Sequence, residues 1–158
     1  MNNGFLKIVV LTLCLLATKN ATYADDDVNI SYNGLPETSR MFIEKHFSRD
    51  SQTREIEYEN ESGVYKVEMN NGYEIKFNSK GRVIEVDSPK GKSVDEILAK
   101  AVLPAKIVNQ LTSERLLDYI DEIKLLRDGG YLIEIDKYSK NRKMRFDSDG
   151  NFVKGRKR

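Results

Sequence analysis

The sequence predicts an α+β fold made by tandem duplication of one unit, a helix followed by an antiparallel β-meander. Two helical stretches open on Leu35-Pro36 and Leu103-Pro104, 68 residues apart. Landmarks of the following segments recur at nearly the same offset: 67 for Ile56/Ile123, 66 for Tyr65/Tyr131, and 69 for Phe77/Phe146 and Gly81/Gly150. Between them, apolar and charged residues alternate with the period of two that marks a half-buried strand. A repeat of this length is one supersecondary unit copied twice.

In chain order, residues 1–24 read as a secretory signal peptide. Lys7 precedes an apolar run over 8–17, and small and polar residues follow, ending in Ala24 before Asp25-Asp26-Asp27. The run is too short to span a membrane, so cleavage is expected between Ala24 and Asp25. Residues 25–34 form an N-terminal extension. The first repeat, 35–87, starts with a helix over 37–47 whose Met41, Phe42 and Phe47 share a face. Four strands follow, around Ile56-Glu57-Tyr58, Tyr65-Lys66-Val67, Glu74-Ile75-Lys76-Phe77 and Val83–Val86. Asn70-Asn71-Gly72 supplies a hairpin turn, since these residues accept positive φ. Residues 88–102 are a connector in which Ser93 and Glu96 suggest a capping box for a short helix, about 94–101. The second repeat, 103–153, has a helix running past Leu116, then strands at 122–125, 131–136 and 144–146 and at Phe152. A longer loop is expected over 137–142, and residues 154–158 are a basic tail. Each repeat is expected to form its own sheet with its own helix.

Few residues suit catalysis. The sole cysteine, Cys14, lies in the signal, so the mature chain carries no disulfide or thiolate. Lipidation at Cys14 is disfavoured because Leu13 is too bulky for the residue before a lipidated cysteine. His46, the sole histidine, has no nucleophile elbow or metal-ligand spacing beside it. Asp147-Ser148-Asp149-Gly150-Asn151 lacks the spacing and closing Glu of an EF-hand and reads as a turn. Glu55, Glu57 and Glu59 alternate with Ile56 and Tyr58, as on a solvated strand face. The reading is therefore no enzyme, no catalytic residue, no metal site and no cofactor.

The landmarks resemble the PepSY-like, or beta-lactamase-inhibitor-like, family of exported bacterial proteins. The matching pieces are Leu35-Pro36, Phe42-Ile43-Glu44-Lys45-His46-Phe47, the segment from Tyr65 to Gly72, and that from Glu74 to Gly81. The second unit matches at Leu103-Pro104, Gly130-Tyr131-Leu132-Ile133-Glu134-Ile135 and the segment from Met144 to Gly150. The resemblance implies a periplasmic, noncatalytic α+β protein of the kind found in Bacteroidetes, with restraint of a peptidase as a family-level role. This sequence departs from the pattern in two places. Arg82-Val83-Ile84 stands where many relatives carry a Trp, and the 137–142 loop replaces the compact Asn-Gly turn.

Charge adds one asymmetry. Residues 137–158 hold nine basic side chains against two acidic ones, a net +7, whereas residues 25–136 carry 15 basic and 23 acidic groups, a net −8. Lys140, Arg142, Lys143 and Arg145 are therefore the candidate partner-binding residues, steering an anionic partner through local potential. Nucleic acid is excluded by export, and no membrane span remains after cleavage. The leading reading is a periplasmic binding protein, inhibitor-like in character, for a periplasmic protein or envelope component. The alternative is a small-ligand or envelope-sensing protein with a cleft between the repeats.

Overall fold

The structure, a computed structural model, describes residues 27–47, 53–138 and 140–157. The cleavage site at Ala24 and Asp25 lies outside them. Three helices, α1 (Glu37–His46), α2 (Glu96–Val102) and α3 (Ala105–Ser113), accompany nine strands. These are β1 (Val28–Asn29), β2 (Thr53–Glu59), β3 (Val64–Met69), β4 (Glu74–Phe77), β5 (Val83–Asp87), β6 (Ile120–Leu125), β7 (Tyr131–Lys137), β8 (Lys140–Phe146) and β9 (Phe152–Lys157).

The strands lie in the order β1 to β9, and all neighbours are antiparallel. This corrects the expectation of two sheets. β5 and β6 pair directly, with Glu85 opposite Lys124, Val86 opposite Ile123 and Asp87 opposite Glu122, so both repeats share one sheet. A join between strands more than 30 residues apart leaves no local pattern in the sequence.

Alternation sets the faces as expected. Ile56, Val67, Ile75, Phe77, Val86, Ile123, Ile133, Met144 and Phe146 are all buried on the helix side. Lys66, Glu68, Lys76, Glu85, Lys124 and Glu134 occupy the intervening positions and face away. The helices thus cover one face only, and their buried residues (Ile43, Leu98, Ile107, Val108 and Leu111) complete a single core. Within α1 the covered face is Ser39, Phe42, Ile43 and, beyond the helix end, Phe47; Phe42 meets Phe77 edge-on at 5.9 Å. Met41 is 61% exposed instead, because a step of one residue turns it about 100° away from Phe42.

Each repeat closes the same way, by a turn docked on a helix N-terminus. In the first, the Asn78 Oδ1 accepts from the Lys80 and Arg82 N–H groups, 3.0 Å each; in the second, the Asp147 Oδ1 accepts from Asp149 and Asn151 at 3.0 and 2.7 Å. Gly81 and Gly150 both sit at φ +76°. A Cβ on Gly81 would lie 2.1 Å from Thr38 Oγ1, so glycine is required there by space as well as by backbone. Thr38 in turn donates to the Lys80 carbonyl at 2.8 Å.

Two helix boundaries differ from expectation. The cap of α2 is Asp95, whose carboxylate accepts from Ile97 N–H at 2.8 Å, and not Ser93. Ser93 instead offers its carbonyl to the Tyr73 hydroxyl. Helix α3 stops at Ser113 rather than continuing past Leu116. Leu116 N–H reaches the Leu111 carbonyl at 2.8 Å and Arg115 N–H reaches Thr112, with Arg115 left-handed at φ +54°. That is a Schellman stop with arginine where glycine is usual, and the buried Leu111 and Leu116 supply its apolar contact.

Candidate functional site

The uncovered sheet face is charged from edge to edge, and the strand register arranges its charges in rows. One row runs Glu55, Glu68, Glu74, Asp87, Glu122, Glu134 and Lys143 across seven strands. The next runs Glu57, Lys66, Lys76, Glu85 and Lys124. Lysines of the second row bridge carboxylates of both. Lys66 lies 3.3 Å from Glu57, 3.2 Å from Glu68 and 3.6 Å from Glu74. Lys76 reaches Glu74 at 3.7 Å and Glu85 at 3.5 Å, while Lys124 reaches Glu85 at 3.2 Å and also pairs with Glu122. Single pairs of this kind contribute ~0–1 kcal/mol; a shared lattice does more by fixing each side chain against several neighbours.

Asp87 is the weak point of that lattice. Its carboxyl has no salt-bridge partner within 4.0 Å among the described residues. Burial, then the nearby charges of Glu122 and Glu85, push it up to about 7, against a smaller opposing pull from Lys124. Glu74, Glu85 and Asp87 bring one carboxylate oxygen each within 4.8 Å of one another. Burial also raises Glu122, whereas for Glu134 the lysine at position 143 overcomes burial and holds the carboxylate below its ordinary range.

The candidate partner-binding residues are split by alternation. Lys143 and Arg145 lie on the charged face, paired with Glu134 and Asp128 respectively. Arg142 lies opposite Ile135 on the helix side, 3.4 Å from Glu114. Lys140 opens β8 opposite Lys137. That pairing corrects the long loop expected over 137–142: β7 runs through Lys137 and β8 starts at Lys140, a closer approach than between β3 and β4 around Asn70-Asn71-Gly72. The sequence hid it because Tyr138 takes φ +56°, a conformation for which tyrosine carries no turn signal.

Sequence reasoning did not single out this tip. Tyr138 is 79% exposed, and its ring centroid is 5.9 Å from that of Tyr119. The Lys137 ammonium lies 4.6 Å from the Tyr119 ring and 5.8 Å from the Tyr138 ring, and it donates to the Arg115 carbonyl at 2.8 Å. A bulky residue in the left-handed region costs ~1–2 kcal/mol.

The His46 ring lies tilted against Phe42, 4.7 Å between centres, and burial, with Lys45 beside it, lowers its pKa. The Asp147 carboxylate is engaged by its own turn, whose Asn151 and Asp149 donors hold it below the usual range. Glu57 belongs to the lysine-bridged lattice.

A family model described as "Putative beta-lactamase-inhibitor-like, PepSY-like" matches residues 20–85 and again 86–154. A "putative periplasmic protein of unknown function" from Bacteroides vulgatus is 28% identical, superposes with a TM-score of 0.67, and the match covers 83% of this chain and 99% of that one. A second Bacteroides vulgatus periplasmic protein, of the DUF2874 family, gives 25% identity and a TM-score of 0.68 over 84% and 98% of the two chains. A "putative calcium-regulated periplasmic protein" from Bacteroides thetaiotaomicron gives 27% and 0.67 over 84% and 98%. No curated protein shows significant similarity to the chain.

The raised Asp87 carboxyl makes stability depend on pH in a definite direction. Its unfolded value is near the ordinary 3.8 and its folded value about 7, so the native state holds the extra proton between them. Stability should fall as pH rises from about 4 to about 7 and level off above. Asp87→Asn should melt higher than the parent at about pH 8 and lose that decline; thermal melts across the range check both.

Proposed function

Because the chain belongs to the PepSY-like family, we propose that it works as an exported, noncatalytic binding protein whose partner is an acidic surface of another envelope protein. The periplasmic descriptions of the Bacteroides vulgatus and Bacteroides thetaiotaomicron proteins support the location, as does the leader expected at residues 1–24. The family description makes restraint of an enzyme the first form of binding to test.

The observation that carries the proposal is the tip at Tyr138. A left-handed backbone holds an exposed aromatic ring beside Tyr119 and Lys137, in the segment with net charge +7. Exposed tyrosines among cations are the composition of interface anchors, and Lys140, Arg142, Lys143 and Arg145, along the strand that follows the tip, would steer the approach. A photoreactive residue at position 138 should give an adduct in the native envelope that weakens with added salt. The same residue at Ile97, 73% exposed on α2, should give none. Lys143→Glu combined with truncation after Val153 should reduce the adduct. Equal capture at both positions, or capture indifferent to salt and to those changes, would count against it.

A second reading has one observation behind it. The Glu74, Glu85 and Asp87 carboxylates supply hard oxygen donors close together, as a calcium ion requires, and one similar protein is described as calcium-regulated. Lys76 already compensates Glu74 and Glu85, so the cation would have to displace an ammonium. On this reading calcium raises the melting temperature of the parent and leaves Asp87→Asn unmoved. No shift in the parent removes it.

A further inference from the structure

On the helix side, a groove of about 460 Å³ opens where the two repeats meet. Its walls come from α1 (Thr38, Phe42), the turn and strand after Asn78 (Lys80, Arg82, Val83), the end of α2 (Ala101, Val102) and Tyr131 of β7. None of the lining residues is acidic. We propose that this groove binds a free single-chain aliphatic carboxylate, its tail along Phe42, Val102 and Tyr131 and its head between Lys80 and Arg82.

The floor suits a hydrocarbon. Phe42, half-buried, meets Phe77 at a steep angle with ring centres 5.9 Å apart, while Tyr131 is 7% exposed and Val83 and Val102 are half-buried against the core. The volume falls in the range of small-molecule sites, where an apolar lining and a few polar groups are usual. The rim suits an anion. On the open sheet face Lys66, Lys76, Lys124, Lys143 and Arg145 all have carboxylate partners. Lys80 and Arg82 have no ion-pair partner among the described residues, although the fold places both at one mouth. Their backbone is fixed: the Asn78 side chain accepts from both N–H groups at 3.0 Å, and Gly81 between them is wedged on Thr38 and Pro36. Two exposed cations on a rigid turn beside an apolar wall call for a ligand with one negative head and one apolar body.

The groove lies in neither the Tyr138 tip nor the charged face, so this proposal stands or falls separately from the reading above. The test is calorimetric titration of the full mature chain with dodecanoate, with decanoate and dodecyltrimethylammonium as comparators. Saturable binding of one dodecanoate per chain is expected. Decanoate should bind about fifteenfold more weakly, for the loss of two buried methylenes, and the cationic amphiphile should not compete. Lys80→Glu with Arg82→Glu reverses the rim at exposed positions and should weaken binding at least about tenfold. Ala101→Trp, at another exposed position, should block the groove with the circular dichroism unchanged. No saturable binding, equal binding of the cationic amphiphile, or indifference to both variants would overturn the proposal.

Discussion

The pairing of β5 with β6 is the constraint on which the rest of the molecule depends. It joins two copies of a meander edge to edge, and its register decides which side of the second copy faces the helices. Val86 sits opposite Ile123, both buried, so the apolar positions of the two repeats fall on one face. A slip by one residue would turn Ile123, Ile133 and Met144 toward solvent and bring Lys124 and Glu134 under α3. The single core, the single charged face and the groove between repeats all follow from that one match.

The same match explains why the open face is a charge lattice. Helices cover only one side of the sheet, so every second residue of eight consecutive strands must tolerate water. Here those positions hold lysines between carboxylates, which keeps a broad flat sheet from pairing with other apolar surfaces. The lattice is least balanced at the seam, where the second-repeat strand β6 brings Glu122 against Asp87 of the first. Joining the copies adds Glu122 to the carboxylates, Glu74 and Glu85, that already crowd Asp87 within the first repeat. Toward the β8 edge the cations gather instead, and there the strained aromatic tip projects.

Much of this was legible in the sequence, because short-range physics wrote it. Alternation placed Phe77 inward and Lys76 outward, the paired offsets revealed the duplication, and Asp147–Asn151 read as the turn it forms. The misses share a cause as well. Arg115 ends α3 and Tyr138 follows β7 in left-handed conformations that such residues do not advertise. Surrounding structure, a Schellman pair in one case and a long hairpin in the other, holds them there. Sequence pattern could not show the β5–β6 seam, since it depends on contacts across the connector, nor therefore the raised Asp87 or the groove at the junction. The tip at Tyr138 did have a signal: a tyrosine flanked by Lys137 and Lys140 between two alternating runs.

Native-state hydrogen exchange tests the shared sheet most directly. If the β5–β6 seam makes the repeats one cooperative unit, the slowest amides of β4 and of β7 open with the same free energy, within about 1 kcal/mol, and respond alike to denaturant. Distinct opening energies, with the β4 amides exchanging while β7 stays protected, would show two separately folding repeats and contradict a sheet governed by its seam.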